Sequence, residues 1–216
     1  MSPAPASDTQ TRDSHSLFAA LEAELAQGAS RGADKLAPYA AGGLERAARH
    51  LAQSRSPLAL FTGFYVAHAA KPAAETDGPL TVMAIAEALF ALGREAVIIT
   101  DAPCAPVLYR LVAEAGLPAD VLYVPETPDM LEPALRARGV DTVFAIERPG
   151  RAIDGRCYSM RARDLTAHTL AFDAVFSPRS GYTRLAAGDG VHPTSDGYEL
   201  ISDTVSEWKY WRDWLV

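Results

Sequence analysis

The sequence predicts an α/β protein in which a mostly parallel sheet is covered by helices on both faces. Two observations lead to this class. Between residues 58 and 146, short runs that are apolar throughout alternate with longer amphipathic segments. Strands without polar alternation are typical of parallel sheets buried on both faces, and a helix is the usual connection between parallel neighbours. The chain has 216 residues, 49% of them hydrophobic, and is long enough to bury a core.

The first part of the chain differs from this alternation. Residues 1–15 are rich in Pro, Ser, Ala and Asp and lack periodicity, so we expect a disordered tail followed by a single α/β domain over 16–216. Leucines four residues apart predict a helix over Leu17–Ala26, and a second helix is expected over Leu44–Gln53. The sheet is thus preceded by N-terminal helices.

The strands and their covering helices follow in order along the chain. Strands are expected over 58–62, 96–100, 121–124 and 142–146, with further strands over 173–176 and 185–187. The helices expected over 79–92, 105–115 and 130–138 are each followed by a glycine, which often ends a helix. This order is typical of a Rossmann-like three-layer fold with right-handed crossovers.

The last part of the chain carries a stripe of tryptophans. Residues 203–216 predict an amphipathic helix in which Trp208, Trp211 and Trp214 are three residues apart. We interpret the stripe as core packing or as a contact through which copies of the chain form a homo-oligomer. A ligand-binding role is the less favoured interpretation.

Charge and composition argue against several classes of protein. A formal net charge of −7 and an isoelectric point near 5.2 argue against binding to nucleic acids or anionic membranes. No run approaches the roughly 18 apolar residues that span a bilayer. The start of the chain lacks the apolar core of a signal peptide, so a cytoplasmic protein is expected. Signatures for nucleotide and metal binding are absent from the sequence, and no cofactor is expected.

The cysteines and histidines do not form a recognisable site. With Cys104 and Cys157 alone, disulfides are not expected to hold the chain together. Cys104 lies near a helix start, where a thiol pKa can fall, but no base stands beside it, and a buried structural cysteine is favoured. The scattered histidines are interpreted as surface or hydrogen-bonded residues: His50, His68, His168 and His192.

Unusual sequence follows each of three predicted strands. Thr62 and Gly63 come at the end of the first, Asp101 follows the second, and a charged run from Glu147 and Arg148 follows the strand over 142–146. Ligands of open parallel sheets bind beyond the carboxyl ends of the strands. If the sheet is parallel, these segments converge on one edge, and we expect a polar small-molecule ligand there.

The segment Glu75-Thr76-Asp77-Gly78-Pro79 opens the helix over 79–92. Thr76 or Asp77 can cap this helix, and the free N–H groups of a helix start favour anions. A cap with no further role is the alternative. However, the 17-residue stretch GFYVAHAAKPAAETDGP is longer than connections normally are unless they have a function.

The charged run after residue 146 contains four candidate carboxylate-binding arginines, namely Arg148, Arg151, Arg156 and Arg161. Paired N–H donors allow arginine to hold a carboxylate through two hydrogen bonds. The alternative is a solvated surface loop whose arginines form ion pairs with Glu147, Asp154 and Asp164.

Several rare strings in the chain are shared with a known family. They are TGF at residues 62–64, ETDGP at 75–79, ERPGR at 147–151, and the Tyr-x-Met-Arg element from Tyr158 to Arg161. In these strings the chain resembles the D-glutamate cyclase family, specifically its C-terminal-type domain. The resemblance runs from about Gly32 to Phe176.

The resemblance implies that the chain converts D-glutamate, an acidic amino acid, to 5-oxo-D-proline with loss of water. The substrate's amine attacks its own γ-carboxyl carbon, so the enzyme folds the substrate, removes an ammonium proton and stabilises the oxyanion. On this basis Glu75, Asp77 and Glu147 are candidate bases. The residues expected to bind substrate are Thr62, Gly63, Thr76, Gly78, Asp101, Arg148, Arg151, Arg156, Tyr158 and Arg161.

The chain departs from the family pattern near its end. It keeps Gly188-Asp189-Gly190, and Asp189 is a further candidate catalytic residue, but Val191-His192-Pro193 replaces the usual Gly-Asn-Glu. Ser159 stands where Asn is usual. A non-catalytic module that binds a small carboxylate or amino acid therefore remains an alternative.

A second resemblance is local. The stretch DGVHPTSDGYELIS, from Asp189 to Ser202, is similar to the last block of GDSL-type esterases, in which an Asp-x-x-His pair supplies the orienter and base of a serine triad. Asp189 and His192 would be that pair. The sequence contains no Gly-Asp-Ser nucleophile turn, and the other interpretation of the stretch is a turn leading into a helix.

Overall fold

A five-stranded parallel sheet forms the centre of the fold, which confirms the predicted class. The computed structural model describes residues 8–26, 38, 41–152, 154–159 and 161–187. The strands are β1 (Leu58–Phe61), β2 (Tyr65–Val66), β3 (Ala73–Ala74), β4 (Ala96–Ile99), β5 (Leu122–Tyr123), β6 (Thr142–Ile146) and β7 (Thr183–Ala187). The sheet has the order β5-β4-β1-β6-β7 with every neighbouring pair parallel. Strands β2 and β3 form a separate antiparallel hairpin between β1 and the next helix.

The helices predicted between the strands are confirmed, with boundaries shifted by at most two residues. The α-helices are α1 (Asp8–Ala26), α2 (Gly43–Gln53), α3 (Asp77–Ala91), α4 (Ala105–Glu114), α5 (Leu131–Ala137) and α6 (Asp173–Phe176). The glycines predicted to end α3, α4 and α5 all have positive φ, between 65° and 68°. Only glycine adopts this conformation without steric cost, which explains why these helices end there.

The chain divides into two compact units, Met1–Ser54 and Arg55–Val216. In the first unit, the Glu22 carboxylate of α1 accepts the backbone N–H groups of Gly42 and Leu44, each at 2.7 Å, and so caps the start of α2. Helix α1 begins at Asp8, so residues 8–15 are helical, whereas the sequence predicted a disordered tail there. The polar stretch carries no apolar periodicity, which was the signal used to find helices.

Helices cover both faces of the sheet in the second unit. Phe61, Ile99 and Val143 form one buried cluster with residues of α5 and α6. Phe61 is at its centre and contacts the rings of Phe172 and Phe176 edge to face, at centroid distances of 5.6 and 5.0 Å. The other face is covered by α3 and α4, whose inward residues are buried. Because both faces are covered, β1 and β4 are buried at every position.

The strand expected over 173–176 is wrong, because these residues form helix α6. Val175 and Phe176 are buried on the α5 side of the sheet. The position beside β6 is occupied instead by β7, which contains the predicted strand over 185–187. A run of four mostly apolar residues fits a strand and a buried helical turn equally well.

The predicted tryptophan helix over 203–216 lies outside the described residues. None of the helices in the described part of the chain is both long and apolar enough to cross a membrane.

Candidate functional site

The strand order places a break in chain direction at one point of the sheet. From β1 the chain moves outward to β4 and β5, and then returns to the other side of β1 to form β6 and β7. In sheets of this kind, ligands bind at the carboxyl edge where the order reverses. Here that edge lies between the end of β1, at Thr62 and Gly63, and the end of β6, at Glu147 and Arg148.

The start of α3 lies directly against this edge. A Cβ atom built on Gly78 would lie 2.5 Å from Thr62 Oγ1, 2.9 Å from Glu147 Cβ and 3.3 Å from the Ile146 carbonyl oxygen. Any side chain at this position would collide with both strand ends, so Gly78 is required for the contact. Three predicted site residues, Thr62, Gly78 and Glu147, are thereby brought together.

The helix begins within two residues of the predicted start, but the side-chain cap expected from Thr76 or Asp77 is not formed. Thr76 is the N-cap residue, although its side chain makes no capping hydrogen bond. The Asp77 carboxylate accepts the N–H of Gly78 at 2.9 Å, and the Thr81 hydroxyl donates to the Asp77 carbonyl oxygen. Glu75 ends the β2–β3 hairpin, where its N–H donates to the Phe64 carbonyl oxygen at 2.8 Å.

Glu147 has an unusual backbone. Its φ is 48°, and its N–H donates to the Ala187 carbonyl oxygen at 3.1 Å. A left-handed conformation costs a residue other than glycine roughly 1–2 kcal/mol. Backbone strain of this kind is concentrated at functional sites. Glu147 is therefore a candidate functional residue of this edge.

Arg148 and Asp101 bind each other. The guanidinium donates to both Asp101 carboxylate oxygens at 2.8 Å, and the two side chains are only 4% and 3% exposed. Arg148 also donates to the carbonyl oxygens of Thr62 and Leu170, at 3.2 and 2.7 Å, and stacks on Phe172 at 4.3 Å. The Leu170 N–H donates to Asp101. The pair therefore ties the ends of β1, β4 and β6 to residues 170–172.

The remaining predicted binders lie in an exposed antiparallel segment after Arg148. Arg156 pairs with Asp164 at 3.3 Å, which is the internal ion pairing given as the alternative for this loop. The Tyr158 hydroxyl donates to Asp154 at 2.7 Å. Arg151 is 3.5 Å from Asp173, and Arg161 is exposed. Hydrogen bonds from the Thr166 side chain and backbone hold the pKa of Asp164 below its usual value.

Both cysteines are buried. Burial, reinforced by the Asp101 charge, raises the pKa of the Cys104 thiol to about 12. Burial raises that of Cys157 to about 11. A thiol with such a pKa is not a nucleophile near neutral pH. The structural interpretation of Cys104 fits this environment.

Sequence reasoning missed two parts of the site. Thr100, the last residue of the predicted second strand, lies 2.7 Å from the position that a Cβ on Gly63 would occupy. Its place at the end of the second predicted strand, directly before Asp101, was the signal that could have identified it. The contacts of Leu170 and Phe172 with Arg148 had no local signal.

Asp189 and His192, the candidates from the end of the chain, lie outside the described residues, as does all of 188–216. Across the described ranges, no three side chains of His, Cys, Asp or Glu come together in a way that could hold a metal ion.

Comparison with known protein families gives a match over most of the chain. A family model described as "D-glutamate cyclase-like, C-terminal" matches residues 23–191, which include β1 to β7 and the edge just described. No curated protein matches the chain.

Proposed function

Because the chain belongs to the family of D-glutamate cyclase-like C-terminal domains, we propose that it closes D-glutamate to 5-oxo-D-proline. The amine nitrogen forms a bond to the γ-carboxyl carbon, and one γ-carboxyl oxygen leaves. The two protons that the ammonium group loses leave with that oxygen as water, so the reaction needs no further reactant. The protein's task is to fold the substrate, accept a proton and stabilise the oxyanion.

The position and backbone of Glu147 carry the proposal. Its carboxylate is attached to a strained residue at the edge where β1 and β6 separate, next to the start of α3. A strained residue persists only where its surroundings over-determine it. We assign Glu147 as the base that removes the ammonium proton.

The other two candidate bases are less suited to this role. Asp77 is exposed and has no backbone strain, and its carboxylate accepts the N–H of Gly78. Glu75 belongs to the β2–β3 hairpin connection and has no backbone strain. Glu75 therefore serves as the matched comparison for Glu147, since both are half-buried glutamates near the same edge.

The oxyanion and the carboxylates need hydrogen-bond donors. The macrodipole of α3 favours a negative charge at its start, but the Asp77 carboxylate already accepts the Gly78 N–H there and Pro79 has no N–H to donate. Arg148 does not bind the substrate directly, because its guanidinium already donates hydrogen bonds to Asp101, Thr62 and Leu170. We assign it a positioning role. It holds β1 and β6 at the spacing that leaves Glu147 beside α3.

The test is to incubate the protein with D-glutamate and, separately, with L-glutamate, and to follow 5-oxoproline by chromatography. Product from the D enantiomer is expected, with none above background from the L enantiomer. Glu147→Gln is the inactive control, because it keeps the shape of the side chain. Arg148 is not a suitable control, because its removal would leave Asp101 buried without a partner.

Two results would count against the proposal. Stabilisation of the fold by D-glutamate without product would indicate the non-catalytic binding module. Neither product nor stabilisation from either enantiomer, with a folded protein, would remove acidic amino acids as ligands altogether.

A further inference from the structure

Two threonines lie side by side at the carboxyl ends of β1 and β4. Phe61 pairs with Ile99 in the parallel register, so Thr62 and Thr100 are the next neighbours, and Thr62 N–H donates to the Ile99 carbonyl oxygen at 3.0 Å. Residues level with each other in parallel strands direct their side chains to the same face. Because Phe61 and Ile99 belong to the cluster on the α5 side, the two threonines lie on the face covered by α3 and α4.

Both threonine side chains are fully buried, and neither hydroxyl has a hydrogen-bond partner among the described residues. Buried hydroxyls without partners are uncommon, because the lost hydration is not replaced. Ser54 and Tyr182 have such hydroxyls as well, but Ser54 follows α2, and Tyr182 precedes β7 and so lies at the amino edge of the sheet. The paired arrangement is at the candidate site.

Glycine backbone covers each hydroxyl. Thr62 Oγ1 faces Gly78, the second residue of α3, and Thr100 Oγ1 faces Gly63, which has φ 124°. The position that a Cβ on Gly63 would occupy is also 3.3 Å from Arg148 Nη1. The Arg148 guanidinium is already paired with Asp101 and the start of α3 already carries the Asp77 carboxylate, so the two hydroxyls are the unpaired donors at this point of the described chain.

We propose that the Thr62 and Thr100 hydroxyls together bind one carboxylate group of the substrate. This inference rests on the proposed function and adds Thr100, which neither the family strings nor the sequence analysis assigns. Each hydroxyl donates one hydrogen bond to a carboxylate oxygen, which satisfies two groups that the protein leaves unpaired. Both hydroxyls are fully buried in this structure, so the proposal requires the backbone at Gly63 to move away from Thr100 before a ligand can reach them.

If the Thr100 hydroxyl binds the ligand, removing it should lower ligand affinity without lowering the stability of the ligand-free protein. A purely structural role would not have this effect. Thr100→Val keeps the shape of the side chain and removes a hydroxyl that has no protein partner, so the ligand-free protein should be as stable as the wild type or more stable. Thr100→Ser keeps the hydroxyl and leaves a methyl-sized cavity, so it should be less stable. If the hydroxyl binds a carboxylate, the more stable variant is the one that loses the ligand.

The probe is glutarate, a dicarboxylate without the amine, which cannot be cyclised. We expect glutarate to raise the melting temperature of the wild type and of Thr100→Ser, and Thr100→Val to lose about tenfold or more in affinity. The matched control is Thr142→Val, since Thr142 is also a buried strand threonine, but it donates to Asp141 at the amino end of β6. That control should be less stable and bind glutarate like the wild type.

Two results would overturn the inference: Thr100→Val binding glutarate with wild-type affinity, or no stabilisation of the wild type by either glutarate or D-glutamate. The proposed function fails separately. If glutarate binding depends on Thr100 but no 5-oxoproline forms, the carboxylate site stands and the cyclase does not. If product forms and Thr100→Val retains the wild-type KM, the cyclase stands and the carboxylate site does not.

Discussion

Replacing Glu147 by glycine is expected to remove activity without unfolding the protein. Glu147 has φ 48°, and relief of this strain by glycine is worth roughly 1–2 kcal/mol. The same substitution lowers the free energy of unfolding by about 0.5–1 kcal/mol, because glycine makes the unfolded chain more flexible. The net backbone gain of about 0.5–1 kcal/mol is then reduced by the lost contact of the side chain with Gly78. We therefore expect Glu147→Gly to lie within about 1 kcal/mol of the wild type.

Ala162 provides the matched control. It is the other residue apart from glycine that has a positive φ in the described part of the chain, at 54°, and it lies in an exposed turn where its N–H donates to Ser159. Ala162→Gly relieves the same kind of strain and loses a single methyl group. It should gain about 0.5–1 kcal/mol and keep full activity.

Both variants are measured by urea unfolding and by 5-oxo-D-proline formation. The reasoning is refuted if Glu147→Gly loses more than about 3 kcal/mol, which would make the side chain a structural element. It is equally refuted if Glu147→Gly forms product at the wild-type rate. Activity lost in Ala162→Gly as well would attribute the loss to backbone flexibility rather than to the carboxylate.

Three further predictions concern the packing of the same edge. Asp101→Asn leaves the buried Arg148 charge without its carboxylate and should lower the free energy of unfolding by about 3–5 kcal/mol, whereas Asp164→Asn breaks an exposed pair and should change urea unfolding little. In Gly78→Ala the added methyl group collides with Thr62 and Glu147, which should lower the free energy of unfolding by about 1–3 kcal/mol. The control is Gly43→Ala, which should be neutral or slightly stabilising because the nearest atom to the added methyl group is 3.8 Å away. Equal effects of the two substitutions would contradict the contact at Gly78. The Cys104 pKa of about 12, against 9.0 ordinarily, means that the unfolded chain ionises first and stability is lost as pH rises above 9. The stability difference between wild type and Cys104→Ala should therefore shrink by roughly 1 kcal/mol from pH 8 to pH 10, and a constant difference in urea unfolding would count against the buried thiol.

Local sequence signals accounted for most of the sheet and its helices. Apolar runs identified β1, β4, β5 and β6 because burial on both faces leaves no room for polar alternation. Glycines located the ends of α3, α4 and α5. The signals failed where they were short or absent, at the four residues of α6 and at the polar first half of α1.

For the candidate site too, the sequence identified some of the residues but not the contacts between them. The strand ends named Thr62, Gly63 and Glu147 because a parallel sheet brings its carboxyl ends to one edge, and the segment that opens α3 named Gly78. The sequence did not reveal that Arg148 and Asp101, 47 residues apart, bind each other in the interior. The arginine content of the segment predicted carboxylate binding, but a carboxylate of the protein itself satisfies the same donors.

The proposal that Glu147 is the base of a D-glutamate cyclase is tested by one parallel rate measurement. The initial rate of 5-oxo-D-proline formation from D-glutamate is compared for the wild type, Glu147→Gln and Glu75→Gln under identical conditions. We predict product from the wild type, a similar rate from Glu75→Gln, and a loss of about 100-fold or more in Glu147→Gln. Glu147→Gln as active as the wild type, or no product from any of the three proteins, would contradict the claim.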